Sequence, residues 1–173
     1  VRQYKKAIKE FPDYHGRIYV NIDDTGLGGG VTDRLREVKR EDKLSRLYVV
    51  PINAAEKIET DTKAGKDAAE HYNNLTTHMW AVLKDLMENQ EIEIEEDSET
   101  FAQLSSRKYF LASNGKLELE SKKEMKKRGL DSPDRGDAAA LSVYLGKIKK
   151  YTGSAPNQAN TDGLGKSSYW KNR

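Results

Sequence analysis

The sequence contains no cysteine, so neither a disulfide framework nor a thiolate metal site can exist. It also lacks any apolar run long enough to span a bilayer, and no secretory leader is visible. Asn74-Leu-Thr76 matches a glycosylation sequon, which without an export signal reads as accidental. A cytoplasmic protein is expected, with no membrane partner. Hydrophobic residues are only 36% of the 173 and charged residues 34%. A single domain with a modest core and a heavily solvated surface follows. There is little net charge either, +2, but this conceals segregation. Residues 91–100 are acidic, whereas 122–128 and 147–150 are basic. Separated patches can steer a polyanion to one face; a solvated helix face is the equal alternative for any single run. The chain begins at Val1 rather than methionine, the expectation being a fragment or a processed start.

What is present has an α/β rhythm. Tyr4, Ala7, Ile8 and Phe11 lie at helical spacing ahead of Pro12, predicting a short amphipathic helix over 1–11. A strand is expected at 17–22 and a helix at about 30–39, with Val31, Leu35 and Val38 inward. Leu47-Tyr-Val-Val-Pro-Ile52 is a continuous apolar run suited to a buried parallel strand ending near its proline. One long helix is expected over roughly 64–89, carrying Tyr72, Leu75, Met79, Val82, Leu83 and Leu86 in a stripe with Trp80 at its edge, read as core. Asn114-Gly115 predicts a hairpin within 109–119. A last helix over 137–149 turns Ala139, Leu141, Tyr144, Leu145 and Ile148 toward the sheet. Residues 152–173, rich in Gly, Ser, Asn and Gln, read as a disordered tail behind a domain of 1–151.

The most informative segment is Ile18-Tyr-Val-Asn-Ile-Asp23-Asp24-Thr-Gly-Leu-Gly-Gly-Gly30. An apolar strand runs into two adjacent carboxylates and then a glycine-rich turn. Binding sites in open α/β sheets lie at the carboxyl ends of strands. Mg²⁺ and similar hard cations take carboxylate oxygens, usually one or two plus substrate phosphates. A metal-assisted phosphodiester chemistry is thus the first expectation. The glycines do not form a nucleotide cradle, because Val31 stands where the dinucleotide fingerprint needs its third glycine. Gly165-Lys166-Ser167 has a phosphate-loop ending, but Asn160 replaces the required upstream glycine. The cluster reads instead as a tight turn beside the acids that lets DNA approach closely.

A second acidic constellation is Asp131-Ser-Pro-Asp134-Arg-Gly-Asp137-Ala-Ala-Ala-Leu. Ser132 and Pro133 mark a helix start. Asp134 and Asp137 either cap that helix and complement its dipole, or, three residues apart on one face, bracket metal ions near Asp23. His71 and His78 would share a face of the long helix, and no acid partner is evident for them or for His15.

These segments together resemble the nuclease domain of phage terminase large subunits. The similarity is carried by Ile22 through Leu35, by Asn74 through Trp80, by Glu120-Ser-Lys-Lys-Glu-Met-Lys-Lys-Arg128-Gly, and by Ser132-Pro-Asp-Arg-Gly-Asp137-Ala, in that order. It covers roughly 1–150. The resemblance implies an RNase H-like α/β fold, a mixed sheet flanked by helices, and a metal-dependent endonuclease that cuts concatemeric viral DNA during packaging. It implies Asp23 and Asp137 as catalytic acids, with Asp24 and Asp134 as companion ligands for two Mg²⁺ or Mn²⁺ ions. Asp23 and Asp24 are interchangeable at this point. Two ions about 3.5–4 Å apart would activate water and stabilise the leaving oxygen. Lys122, Lys123, Lys126, Lys127 and Arg128 become candidates for the DNA backbone. Implied partners are double-stranded DNA, the terminase small subunit and the portal protein, in the cytoplasm of a bacterial host.

One departure stands out. In that family a further catalytic Asp lies on a first strand ahead of the helix matching 1–11, and an ATPase motor domain also accompanies the nuclease. Neither is found in this chain, so the domain is expected to be incomplete at its N-terminus. The alternative is a non-catalytic DNA-binding or assembly module; an unrelated α/β binding domain would leave the ordered motifs unexplained.

Overall fold

The computed structural model describes residues 1–26, 28–94 and 96–144. The expected tail, and positions 145–149 of the expected last helix, lie outside the described residues. Two compact units are present, Val1–Asn53 and Ala54–Tyr144. No helix among the described residues is long and apolar enough to cross a membrane.

The first unit is a strand–helix–strand motif preceded by a helix: α1 (Arg2–Glu10), β1 (Ile18–Asp23), α2 (Gly28–Glu41) and β2 (Leu47–Ile52). The strands are parallel, in register from Ile18 opposite Leu47 to Asp23 opposite Ile52. Tyr4 of α1 is buried with Leu47 and Val49, and Ile8, Ile18, Val20, Ile22, Leu35 and Leu44 pack on them. Val50 and Ile52, of opposite parity, are fully buried too. A run apolar at both parities therefore behaves as a parallel strand covered on both faces. Two expected inward residues face solvent. Phe11 caps the end of α1 and is 60% exposed. Val31 is 54% exposed, and its neighbour Thr32 is the buried residue of that turn. Apolarity made Val31 the natural choice, but a hydrogen bond from Thr32, described below, sets the phase of α2.

The second unit contains α3 (Lys63–His71), α4 (Leu75–Glu88), α5 (Ser98–Ser106), the hairpin strands β3 (Tyr109–Leu111) and β4 (Leu117–Leu119), α6 (Lys122–Lys127) and α7 (Asp134–Ser142). The single long helix expected over 64–89 is two. Tyr72 is extended and forms a parallel bridge with Leu117, and Asn73 donates its N–H to the Leu117 carbonyl. Asn74 then caps α4, its side-chain oxygen accepting the N–H of Thr77. Short amide side chains that compete for backbone groups favour such a break. His71 and His78 consequently belong to different helices rather than one face.

The core expectation for α4 holds: Leu75, Met79, Trp80 and Leu83 are buried. The antiparallel hairpin is present, but of the central pair only Gly115 has a positive φ, +78°. Ala112 pairs with Lys116, so the loop is the three-residue type with glycine in the left-handed position. In α7 the buried positions are Gly136 and Ala140, followed by Tyr144, a shift from the Ala139/Leu141 face expected. Within its unit the helix packs on α4 and α5, and its close approach to Trp80 selects the glycine side.

Candidate metal and nuclease site

The residues with chemical potential fall into one group per unit. In the first, β1 ends at Asp23 and the Asp24 N–H continues the ladder to the Ile52 carbonyl at 2.8 Å. Both carboxylates therefore sit at the carboxyl edge of the parallel pair. They are not equivalent. Asp24 accepts the hydroxyl of buried Thr32 at 2.8 Å, which ties it to the second turn of α2. Asp23 is exposed and accepts only the Thr25 N–H, at 3.0 Å through Oδ1, among the described residues. Asp23 is thus the open carboxylate and Asp24 the anchored one. Gly26 turns the chain here with φ +68°, and the space around Gly29 and Gly30 is open. Left-handed backbone at Gly26 is what the turn requires of glycine.

In the second unit the N-terminus of α7 carries the other pair. Pro133 provides no side-chain cap. The orphan N–H groups of Arg135 and Gly136 are instead satisfied by the Gln103 amide oxygen, at 2.8 and 3.1 Å. Capping from a different helix fixes α7 against α5. Asp137 is then held on both oxygens. Its Oδ1 accepts Trp80 Nε1 at 2.9 Å and Arg107 at 2.6 Å, and its Oδ2 meets the Lys122 ammonium at 2.9 Å. Asp134 accepts Ser132 at 2.6 Å and faces the same Lys122 nitrogen at 3.3 Å. One ammonium therefore lies between the two acids the sequence paired.

The partners of Asp137 differ in mobility. The Arg107 side chain is 5% exposed, lies over the Trp80 ring at 4.8 Å and gives its Nε–H to the Glu120 carbonyl at 3.0 Å. Burial holds its pKa below the usual range, and the Asp137 carboxylate opposes that shift; an arginine stays charged in any case. Lys122 is half-exposed on a flexible stem. Partial burial works against its charge, but its bonds to Asp137 and Asp134 leave its pKa raised. Asp134 is correspondingly lowered, first by Ser132 and then by Lys122.

Behind this group Glu120, 6% exposed, receives a bidentate pair from Arg128 at 2.7 and 2.6 Å. That bond is the main reason its pKa is lowered. Arg128 also donates to the Ser106 carbonyl. Of the basic run 122–128, Lys122 and Arg128 are thus engaged with carboxylates, while Lys123, Lys126 and Lys127 are exposed. The acidic run is partly structural as well. Asp97 caps α5, and Thr100, then Arg135, draw its carboxyl down to about 2.

Among the described residues no three His, Asp or Glu side chains converge to hold a metal. Asp23 and Asp24 form one pair and Asp134 and Asp137 another, each described within its own unit. Sequence reasoning missed Arg107, Trp80 as a hydrogen-bond donor, and Lys122 as a partner of acids. An arginine between the end of α5 and the hairpin carries no local pattern; only the hairpin's closure brings it to Asp137.

Together these elements define an α/β protein of RNase H-like fold. The solved structures it matches are terminase nuclease domains. The nuclease domain of the large terminase subunit gp2 of bacterial virus Sf6 superimposes with a TM-score of 0.56 at 20% identity, covering 82% of this chain and 69% of that one. A mutant form with manganese gives 0.58 at 19% identity, covering 82% and 70%. A mutant form with calcium gives 0.58 at 19%, covering 82% and 69%. The fold of this chain is therefore that of a terminase nuclease domain. No protein-family profile matches the sequence, and no curated protein does.

Proposed function

We propose that this chain is the nuclease part of a viral DNA-packaging terminase, a metal-dependent endonuclease that cuts concatemeric double-stranded DNA. The observation that carries this reading is the acid pair of α7, with one cation lodged between its members, in a chain folded as a terminase nuclease domain. Donor chemistry fits a hard divalent ion: carboxylate oxygens at a helix start and at a strand end, with no thiolate present. Manganese and calcium accompany the similar Sf6 domain. When bound, such ions supply Lewis-acid stabilisation of phosphate charge and a nucleophilic water.

The chain's own residues divide the remaining work. Asp23 and Asp137 are the proposed catalytic acids, with Asp24 and Asp134 as supporting ligands. Arg107 and Trp80 keep Asp137 in one orientation and leave only Oδ2 for exchange. Lys122 is the replaceable partner of that oxygen, and its released ammonium would remain beside the phosphate. Lys123, Lys126 and Lys127 are left to contact the DNA backbone, and the terminase small subunit and portal protein are the partners expected in packaging.

The test is plasmid cleavage with Mn²⁺ or Mg²⁺, by this chain and by a version extended at its N-terminus. Chelator-sensitive nicking that falls at least roughly 10²-fold in Asp23→Asn and Asp137→Asn is expected. DNA binding without cleavage in either version would favour the non-catalytic module. Cleavage indifferent to both substitutions would remove these acids from the chemistry.

A further inference from the structure

We infer a second polyanion-binding surface on the first unit, formed by α1 and the turn that follows it, which takes the phosphate backbone of nucleic acid. Arg2, Lys5, Lys6 and Lys9 are spaced three, four and seven residues apart, so they form one stripe along the helix. All four are exposed, and none meets a carboxylate among the described residues. Like charges at these spacings oppose helix formation, yet no acid sits in the first turn to offset them.

Cations elsewhere behave differently. Arg34 and Arg36 pair with acids of their own helix, as Lys84 does with Glu88. On the basic run 122–128 two cations are held by buried or half-buried acids. The α1 stripe, like Lys123, Lys126 and Lys127, is left to solvent.

Aromatic surface adjoins it. Phe11 and Tyr14 are 60% and 51% exposed. Arg46 donates to the Tyr14 and Gly16 carbonyls and places its guanidinium 5.8 Å from the Tyr14 ring. This adds a cation at a turn that also carries Glu10 and Asp13, and no ion pair joins it to either acid among the described residues. Cationic tracks interleaved with aromatic faces suit a nucleic-acid strand.

A basic amphipathic helix can also lie on an anionic membrane. Here its apolar side is already occupied, because Tyr4 is 7% exposed and Ile8 packs with it on Leu47 and Val49. A helix whose apolar face is built into a core cannot insert that face in lipid. Contact through charge alone remains. The inference takes the identity of its ligand from the nuclease reading, but the surface stands on its own residues.

The test is anisotropy of a short fluorescent DNA duplex with the 173-residue chain, titrated between about 50 and about 200 mM salt. Replacing Arg2, Lys5, Lys6 and Lys9 with alanine should lower the slope of log K against log salt by up to about 3–4, near 0.9 for each phosphate no longer neutralised. Replacing the three lysines with arginine should restore the slope. The Arg34→Ala/Arg36→Ala protein, which removes acid-paired cations, should change it less. An unchanged slope in the alanine protein, with circular dichroism also unchanged, overturns the proposal. So does the absence of DNA binding by the parent chain, or loss of sedimentation with anionic vesicles while DNA binding stays intact. Binding through α1 with no cleavage by either this chain or its N-terminally extended version would uphold the surface and count against the nuclease reading alone.

Discussion

At Gly136 a single methyl group is at issue. A Cβ there would lie 2.7 Å from the Trp80 ring, in the contact that brings α7 onto α4. Gly136→Ala should destabilise the protein by about 1–3 kcal/mol through overpacking, despite alanine's better helix propensity. Its Asp137 should also lose the indole bond, which the Trp80 side-chain NMR resonance would report. His78 offers a second residue-scale outcome. It lies between the Tyr72 and Tyr144 rings, its Nδ1 has no partner among the described residues, and burial lowers its pKa to about 4. The unfolded chain takes up this proton near pH 6.5, while the folded chain resists it until about 4. Between these values the unfolded state binds more protons, so stability rises with pH across the window and is lost on acidification. The contribution is about 3 kcal/mol. Urea midpoints of the parent and of His78→Phe, measured at pH 7 and pH 4.5, should show the parent losing more; equal losses would refute the assignment.

At the scale of elements, the two interior strands and the hairpin were legible because apolar runs and Asn-Gly are local signals. The break between α3 and α4 was not, since the stripe from Tyr72 to Leu86 keeps helical period through it. What ends α3 is Leu117, far along the chain on the hairpin, and periodicity carries no information about a bridge to a distant strand. The cap itself could have been read from Asn73-Asn74. Its oxygen also accepts the Thr77 hydroxyl at 2.9 Å, and that hydroxyl accepts the Leu119 N–H at 3.0 Å. Asn74→Ala should therefore cost about 1–2 kcal/mol, and hydrogen exchange at Thr77 and Leu119 should quicken together. Protection retained at Leu119 would show that the cap and the hairpin are not coupled. The place of Asp23 and Asp24 at a strand end and of Asp134 and Asp137 at a helix start was legible. Their supports were not, because Arg107, Trp80 and Gln103 become neighbours of α7 only after the chain between them has folded.

For the molecule as a whole, the proposed activity makes stability depend on the ion. A divalent cation that binds only the native state should stabilise it by about 2.7 kcal/mol at a hundred times its Kd. Melting with and without Mn²⁺ should show that gain in the parent and not in Asp137→Asn; an equal shift in both would place the ion elsewhere. The Trp80–Asp137 bond has an optical consequence. The sequence has two tryptophans, Trp80 and Trp170, so Trp170→Phe leaves an indole whose ring nitrogen touches the proposed ligand as the sole tryptophan emitter. Emission from that ring should be quenched by paramagnetic Mn²⁺ and only shifted by Mg²⁺, giving a titration that reads occupancy without any DNA present. An emission indifferent to both ions would mean that the carboxylate beside the indole never exchanges its lysine for a metal.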